Sequence, residues 1–126
     1  MLDQITISVA DYPTSKAFYL KALAPLGYGI IMEYEHMAGF GAKDRPEFWI
    51  KEGGATSPAV HVAFGCPDTA KVDAFYEAAI AAGGRSHGAP AQRPEFHKNY
   101  YGASVLDPDD NNVEAVCHES FIDGAL

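Results

Sequence analysis

The chain has 126 residues, 48% hydrophobic and 21% charged, enough for one core without disulfide or metal staples. Nine Lys and Arg against 17 Asp and Glu leave a formal charge of −8, which opposes a polyphosphate partner, so no nucleic acid is expected. No apolar run reaches the roughly 18–20 residues of a membrane span, no signal-peptide pattern opens the chain, and two cysteines suit a reduced, cytoplasmic protein.

In chain order, "DQITISVADYP" begins with a period of two. Ile5, Ile7 and Val9 form an apolar face, and Gln4, Thr6 and Ser8 a polar one. Asp11-Tyr12-Pro13 leads into an amphipathic helix, "KAFYLKALAPLGYG", which Gly27 stops. Three strand-like runs follow, "YGIIMEYE", "HMAGFGAK" and "EFWIKE", with His36 on the turn between the first two. "EGGATSP" then has the composition of a linker.

The second half repeats the first. Phe75 stands 57 residues after Phe18 and Tyr76 stands 57 after Tyr19. The same offset lays Asp3–Ile7 on Val60–Phe64, and Val62 and Phe64 continue the apolar face. Cys66-Pro67-Asp68 is the matching turn, Asp68 suits the helix start, and Gly83 suits its stop. "GAPAQRPEF", "YYGASVLD" and "NNVEAVCHE" complete a second strand–helix–strand–strand–strand unit. The expected division is a module at about 1–53, a linker at 54–58, a second module at 59–120 and a tail at 121–126, all in one domain. A βαβββ sheet with a helix on one face leaves its other face uncovered. The predicted fold is therefore α+β: two modules with curved mixed sheets around a cup-shaped pocket, helices outside.

"QITISVADYPTSKAFYLKALAPLGY", "HVAF" and "VLDPDDNNVEAV" together resemble the vicinal oxygen chelate superfamily, which includes glyoxalase I, bleomycin-resistance proteins and extradiol dioxygenases. The last segment is similar to that family's closing D-P-D-G-x-x-(I/V)-E, with Asp110 where glycine is usual. The resemblance implies paired βαβββ modules, a homodimer and a site that commonly holds one divalent metal. It places candidate metal ligands at Gln4, His61 and Glu114, with Zn, Ni, Mn or Fe as the candidate ions. The fourth position falls on Trp49, which has no lone pair to offer a cation.

Strand alternation independently sets Gln4, His61 and Glu114 on the faces opposite the apolar rows. Two readings stay open there: a metal centre, or a metal-free polar cluster in a ligand pocket. "RPEFHKNYY" is expected at the rim, with Arg93 or His97 orienting a polar ligand and Tyr100 or Tyr101 closing over it. Trp49, Phe96 and Tyr100 suit stacking on a small-molecule ligand. His87 is expected to be solvated, His118 to sit at a strand end, Cys117 in the core, and Cys66 in a turn without a neighbouring base. Two functions follow from the resemblance. One is a metal-assisted lyase or isomerase on a small oxygenated metabolite, with Glu114 a ligand that doubles as proton carrier, a ring-cleaving dioxygenase being disfavoured by Gln4. The other is a metal-free binding protein of the bleomycin-resistance type.

Overall fold

The computed structural model describes residues 1–96 and 98–118. Strand β1 (Ile5–Val9) buries Ile7 and Val9 and leads to Asp11, whose extended backbone and side chain cap helix α1 (Tyr12–Ala22) by accepting from Thr14 N at 3.1 Å. Pro13 lies in the first turn, where its missing N–H costs nothing. A 3₁₀ turn (Ala24–Leu26) ends at Gly27, with φ of +85°. Strands β2 (Gly29–Tyr34), β3 (Met37–Gly41) and β4 (Phe48–Glu52) complete a sheet of order β1-β4-β3-β2, in which only β1 and β4 run parallel.

The second module repeats this plan: β5 (His61–Gly65), α2 (Thr69–Ala81), β6 (Arg85–Gln92), β7 (Tyr101–Leu106) and β8 (Asn112–Cys117), in the order β5-β8-β7-β6. Asp68 caps α2 by accepting from Lys71 N at 2.9 Å, and Gly83 leaves it at φ +104°. Asp110 takes the left-handed φ of +68° that glycine favours, and Arg85 pairs with its carboxylate. Asp is among the few residues that tolerate that conformation. The expected α+β architecture of paired, curved mixed sheets is present, and the sheets are not closed.

The two modules share one core. Phe64 of β5 meets Phe48 of β4 and Tyr28 edge-on, with ring centroids 5.3 and 5.6 Å apart. Phe18 of α1 reaches Gly84, where a Cβ would lie only 2.9 Å from the ring, so the helices approach through a residue with no side chain. Tyr19, fully buried on α1, donates its hydroxyl to Asp107 in the β7–β8 turn. Fully burying such side chains stabilises by about 1.5–3 kcal/mol each, and Phe18, Tyr19, Phe40, Phe48 and Phe75 form the centre of this core. With the helix side filled, both polar sheet faces turn away from it.

Candidate functional site

Strand register gives the two modules equivalent positions. Thr6 pairs with Trp49 across β1 and β4, and Ala63 pairs with Glu114 across β5 and β8. Gln4 lies two residues before Thr6, as His61 lies two before Ala63. Each module therefore presents one side chain from its first strand beside one from its fourth, on the face opposite the helices.

The two pairs differ in chemistry. In the first module Trp49 Nε1–H donates to Gln4 Oε1 at 3.2 Å. Trp49 is stacked on Tyr34 (centroids 6.3 Å apart, 9° between planes) and packed over Gly39, where a Cβ would stand 2.8 Å from the indole. In the second module His61 Nε2 lies 2.8 Å from Glu114 Oε1. Glu114 is 5% exposed, whereas the His61 side chain is 56% exposed. Tyr100 donates its hydroxyl to the other carboxylate oxygen, Oε2. Burial first, then the Glu114 hydrogen bond and charge, push the Tyr100 phenol up to about 12, so it keeps its proton and acts as a donor.

Around this pair is an open hollow of about 420 Å³, lined by His61, His87, Arg93, Phe96, Tyr100, Ser104, Asn112 and Glu114. Every one of these residues belongs to the second half of the chain. The hollow around the His61–Glu114 pair is thus lined from the second module's sheet. Gln4 lines a different hollow of about 250 Å³, with Ile5 and Phe48 on one side and Val62–Gly65 on the other. This second hollow is lined from both modules, whereas the described lining of the first comes from the second module.

Two glycines make room for the site. A Cβ at Gly102 would sit 2.9 Å from Glu114 Oε2 and 3.1 Å from the Tyr100 ring. One at Gly88 would sit 3.0 Å from Arg93 Nη2, which donates to Ala89 O at 2.7 Å. On the floor, Asn112 Oδ1 is buried with no hydrogen-bond partner among the described residues, a polar group left unsatisfied beside the acid.

The candidates named from the sequence are therefore distributed as follows. His61, Glu114, Tyr100 and Arg93 come together, and Phe96 stands at the rim, 66% exposed. Gln4 and Trp49 pair with each other instead. Tyr101 belongs to the helix side, donating to Asp73 of α2 at 2.7 Å, so it does not close over this hollow. His97 and the tail 121–126 lie outside the described residues. His36 occupies its turn at φ +63°, near Glu52, and His118 lies edge-on to Tyr100 at 5.2 Å. Cys117 is buried, and burial pushes the Cys66 thiol up to about 11, against a nucleophilic role. His87 is exposed, as expected, and also borders the hollow, while sequence reasoning missed Ser104 and Asn112. Asn112 was open to view, since it alternates with Glu114 on β8.

Paired βαβββ modules with matching side-chain pairs on their open faces define a glyoxalase-type fold. The sequence profile of the Glyoxalase/Bleomycin resistance protein/Dioxygenase superfamily matches residues 1–115, and the chain belongs to that superfamily. It is similar to a glyoxalase/bleomycin resistance protein from Albidiferax ferrireducens T118, at 26% identity and a TM-score of 0.75 over 91% of this chain and 96% of that one. A glyoxalase/bleomycin resistance protein/dioxygenase family enzyme from Burkholderia phytofirmans PsJN shares the fold at 19% identity and a TM-score of 0.72, covering 94% and 98% of the two chains. So does a lactoylglutathione lyase from Agrobacterium tumefaciens, at 17% identity and a TM-score of 0.69, covering 93% and 92%. No functionally curated protein matches the chain significantly. No helix among the described residues is long and apolar enough to cross a membrane.

Members of the superfamily commonly use a divalent metal. The donor set of the described residues does not fit one. Among the described residues no group of three or more His, Cys, Asp or Glu side chains is placed to hold an ion. His61 and Glu114 supply two donors, already bonded to one another, while a zinc site takes three or four protein ligands. The Gln4 oxygen is taken by Trp49, which itself cannot ligate. No step below is routed through a metal.

Proposed function

We propose that the chain is a lyase- or isomerase-type enzyme acting on a small oxygenated metabolite, with His61 and Glu114 as its proton-carrying pair. One observation carries this reading: an accessible imidazole held 2.8 Å from a buried carboxylate on the floor of an open hollow. An ionised carboxylate only accepts, so Nε2 carries the proton and Nδ1 keeps a lone pair for the substrate. His61 takes a proton from the carbon or hydroxyl beside a carbonyl and returns it to the neighbouring atom. Glu114 fixes the imidazole tautomer and stabilises the imidazolium that forms. Tyr100 occupies the second carboxylate oxygen and keeps Glu114 aimed at His61.

The test is solvent exchange. Small 2-hydroxycarbonyl and 1,2-dicarbonyl compounds, with S-lactoylglutathione among them, are incubated with the protein in D₂O and followed by proton NMR. Deuterium entering next to the carbonyl, and lost in both His61→Gln and Glu114→Gln, supports the reading. Exchange that survives both substitutions defeats it.

A second reading, a metal-free small-molecule binder, draws on Phe96. Its exposed ring stands edge-on to Tyr100 at 5.2 Å and offers a stacking face at the rim. Saturable binding without exchange of any compound favours this alternative. The superfamily often forms dimers, and a homodimer is part of both readings, to be checked by light scattering after size exclusion. Stoichiometric divalent metal in protein purified without chelator, lost in His61→Ala, would replace the proton-pair reading with a metal-assisted one.

A further inference from the structure

We infer that the hollow selects small monocarboxylates, with Arg93 as the residue that binds the carboxylate. The inference deepens the function proposed above, because it names the substrate class of the same site.

The chain has three arginines, Arg45, Arg85 and Arg93. Arg45 pairs with Asp3 and Arg85 with Asp110, both at the exposed surface. Arg93 lines the hollow half-buried, and among the described residues no carboxylate pairs with its guanidinium. Among the described residues its side-chain hydrogen bond goes to a neutral carbonyl, Ala89 O. That bond and the missing side chain at Gly88 hold the guanidinium against β6, leaving further N–H donors without a partner among the described residues. A half-buried guanidinium without an anion lacks the partner it binds best.

The acids of the hollow do not supply that partner. Both Glu114 oxygens are occupied, by His61 and Tyr100. Glu95 stands exposed at the rim and makes no ion pair with Arg93 among the described residues. In a chain of formal charge −8, general attraction for anions is absent, so a bound anion must be held locally. One guanidinium with a free edge suits the two oxygens of a carboxylate. A phosphate, with more charge and three oxygens, calls for a larger group of donors. A carboxylate on Arg93 sets the neighbouring carbon toward Tyr100 and the His61–Glu114 pair, which line the same hollow.

The test is binding by the full chain, read in ¹⁵N–¹H NMR spectra with L-lactate, its neutral isostere lactamide, and methyl phosphate as probes. Lactate is expected to shift the Gly88, Gly102 and Ser104 amides saturably, with lactamide and methyl phosphate at least about tenfold weaker. Arg93→Gln is expected to weaken lactate about tenfold, with Arg93→Lys between the two. Lactate binding to the unaltered chain should also weaken as salt is raised. Equal or tighter binding of lactamide or methyl phosphate overturns the inference, as does unchanged lactate affinity in a folded Arg93→Gln variant. Binding needs no turnover, so absence of deuterium exchange counts against the proton-transfer reading and leaves this test standing.

Discussion

Tyr19→Phe tests whether a polar lock or aromatic packing joins the two modules beneath the site. Phe keeps the ring contacts of Tyr19 with Phe18 and Phe48, whose centroids both lie 5.0 Å away. It removes only the hydroxyl that donates to Asp107, which is 1% exposed. That carboxylate otherwise accepts from Asn111 Nδ2 at 3.0 Å and from the Asp109 and Asn111 amides, both at 2.8 Å. Losing one charged hydrogen bond from a buried acid costs about 1.5–3 kcal/mol. For 126 residues, unfolding entropy makes each kcal/mol about 4 °C, so Tm should fall by about 6–11 °C. Urea unfolding of the single variants and of the double variant with Asp107→Asn supplies the cycle. A cost below about 0.5 kcal/mol, or full additivity, would refute the lock and leave ring packing as the join. The effect should reach the site as well. Asn111 Oδ1 accepts from Val60 N at 2.9 Å, immediately before His61, so lactate-induced shifts should weaken in Tyr19→Phe.

Four further outcomes follow from the same geometry. Gly102→Ala should force Tyr100 from Glu114, and the Tyr100 phenol, read by ¹³C NMR, should then titrate below about 12. Gly39→Ala sets a methyl 2.8 Å from both the Trp49 indole and Pro46, and should cost about 1–3 kcal/mol in urea unfolding. Cys66, with its thiol pushed up to about 11 chiefly by burial, should resist iodoacetamide at pH 8 in the folded state and react on unfolding. Stability should fall with alkali. Tyr28, Tyr100 and Tyr101 are held at about 12 in the fold, above the free phenol's 10, and Cys66 at about 11, above 9. The unfolded chain thus loses protons first, and the stabilisation, complete below pH 9, is lost as pH rises toward 12. A urea midpoint that is flat across that range would contradict this.

The repeat was legible because each of its parts rests on local chemistry. Period-two alternation exposed β1 and β5, the Asp11-Tyr12-Pro13 turn and Asp68 led into the helices, and the shared Phe-Tyr pair fixed the offset. His61 and Glu114 were legible for the same reason, since strand parity assigns a face. Parity does not say which hollow a face lines, and that is why Gln4 was grouped with them although it bonds to Trp49. Tyr100 and Tyr101 differ by one residue and so by one face, and the expectation for the rim left that choice open. In β6 the pairing with β7 shifts between Ser86 and Gly88 and again between Gly88 and Ala91. Alternation fails across such bulges, so His87 was not recognisable as a lining residue. The roles of Gly88 and Gly102 depend on side chains from other segments, which no local pattern encodes.

The equivalence of Trp49 and Glu114 explains why, among the described residues, the proposed site lies in one half of the molecule. Both stand at the same register of their sheets, beside a side chain from the first strand. In the first module that point is closed: Trp49 is 7% exposed, stacked on Tyr34, seated over Gly39 and bonded to Gln4. An indole there removes a donor and fills the space a substrate would need. In the second module the same point holds an acid with both oxygens engaged, and Gly88 and Gly102 keep space open around it. The asymmetry follows from side-chain volume and lone pairs at one register position, since backbone topology is common to both halves. A substitution that empties the first module, such as Trp49→Ala, should therefore open a cavity and cost stability by about 3–5 kcal/mol in urea unfolding without creating a second site of the proposed kind. Gln4 alone has neither the charge nor the proton affinity to replace the His61–Glu114 pair.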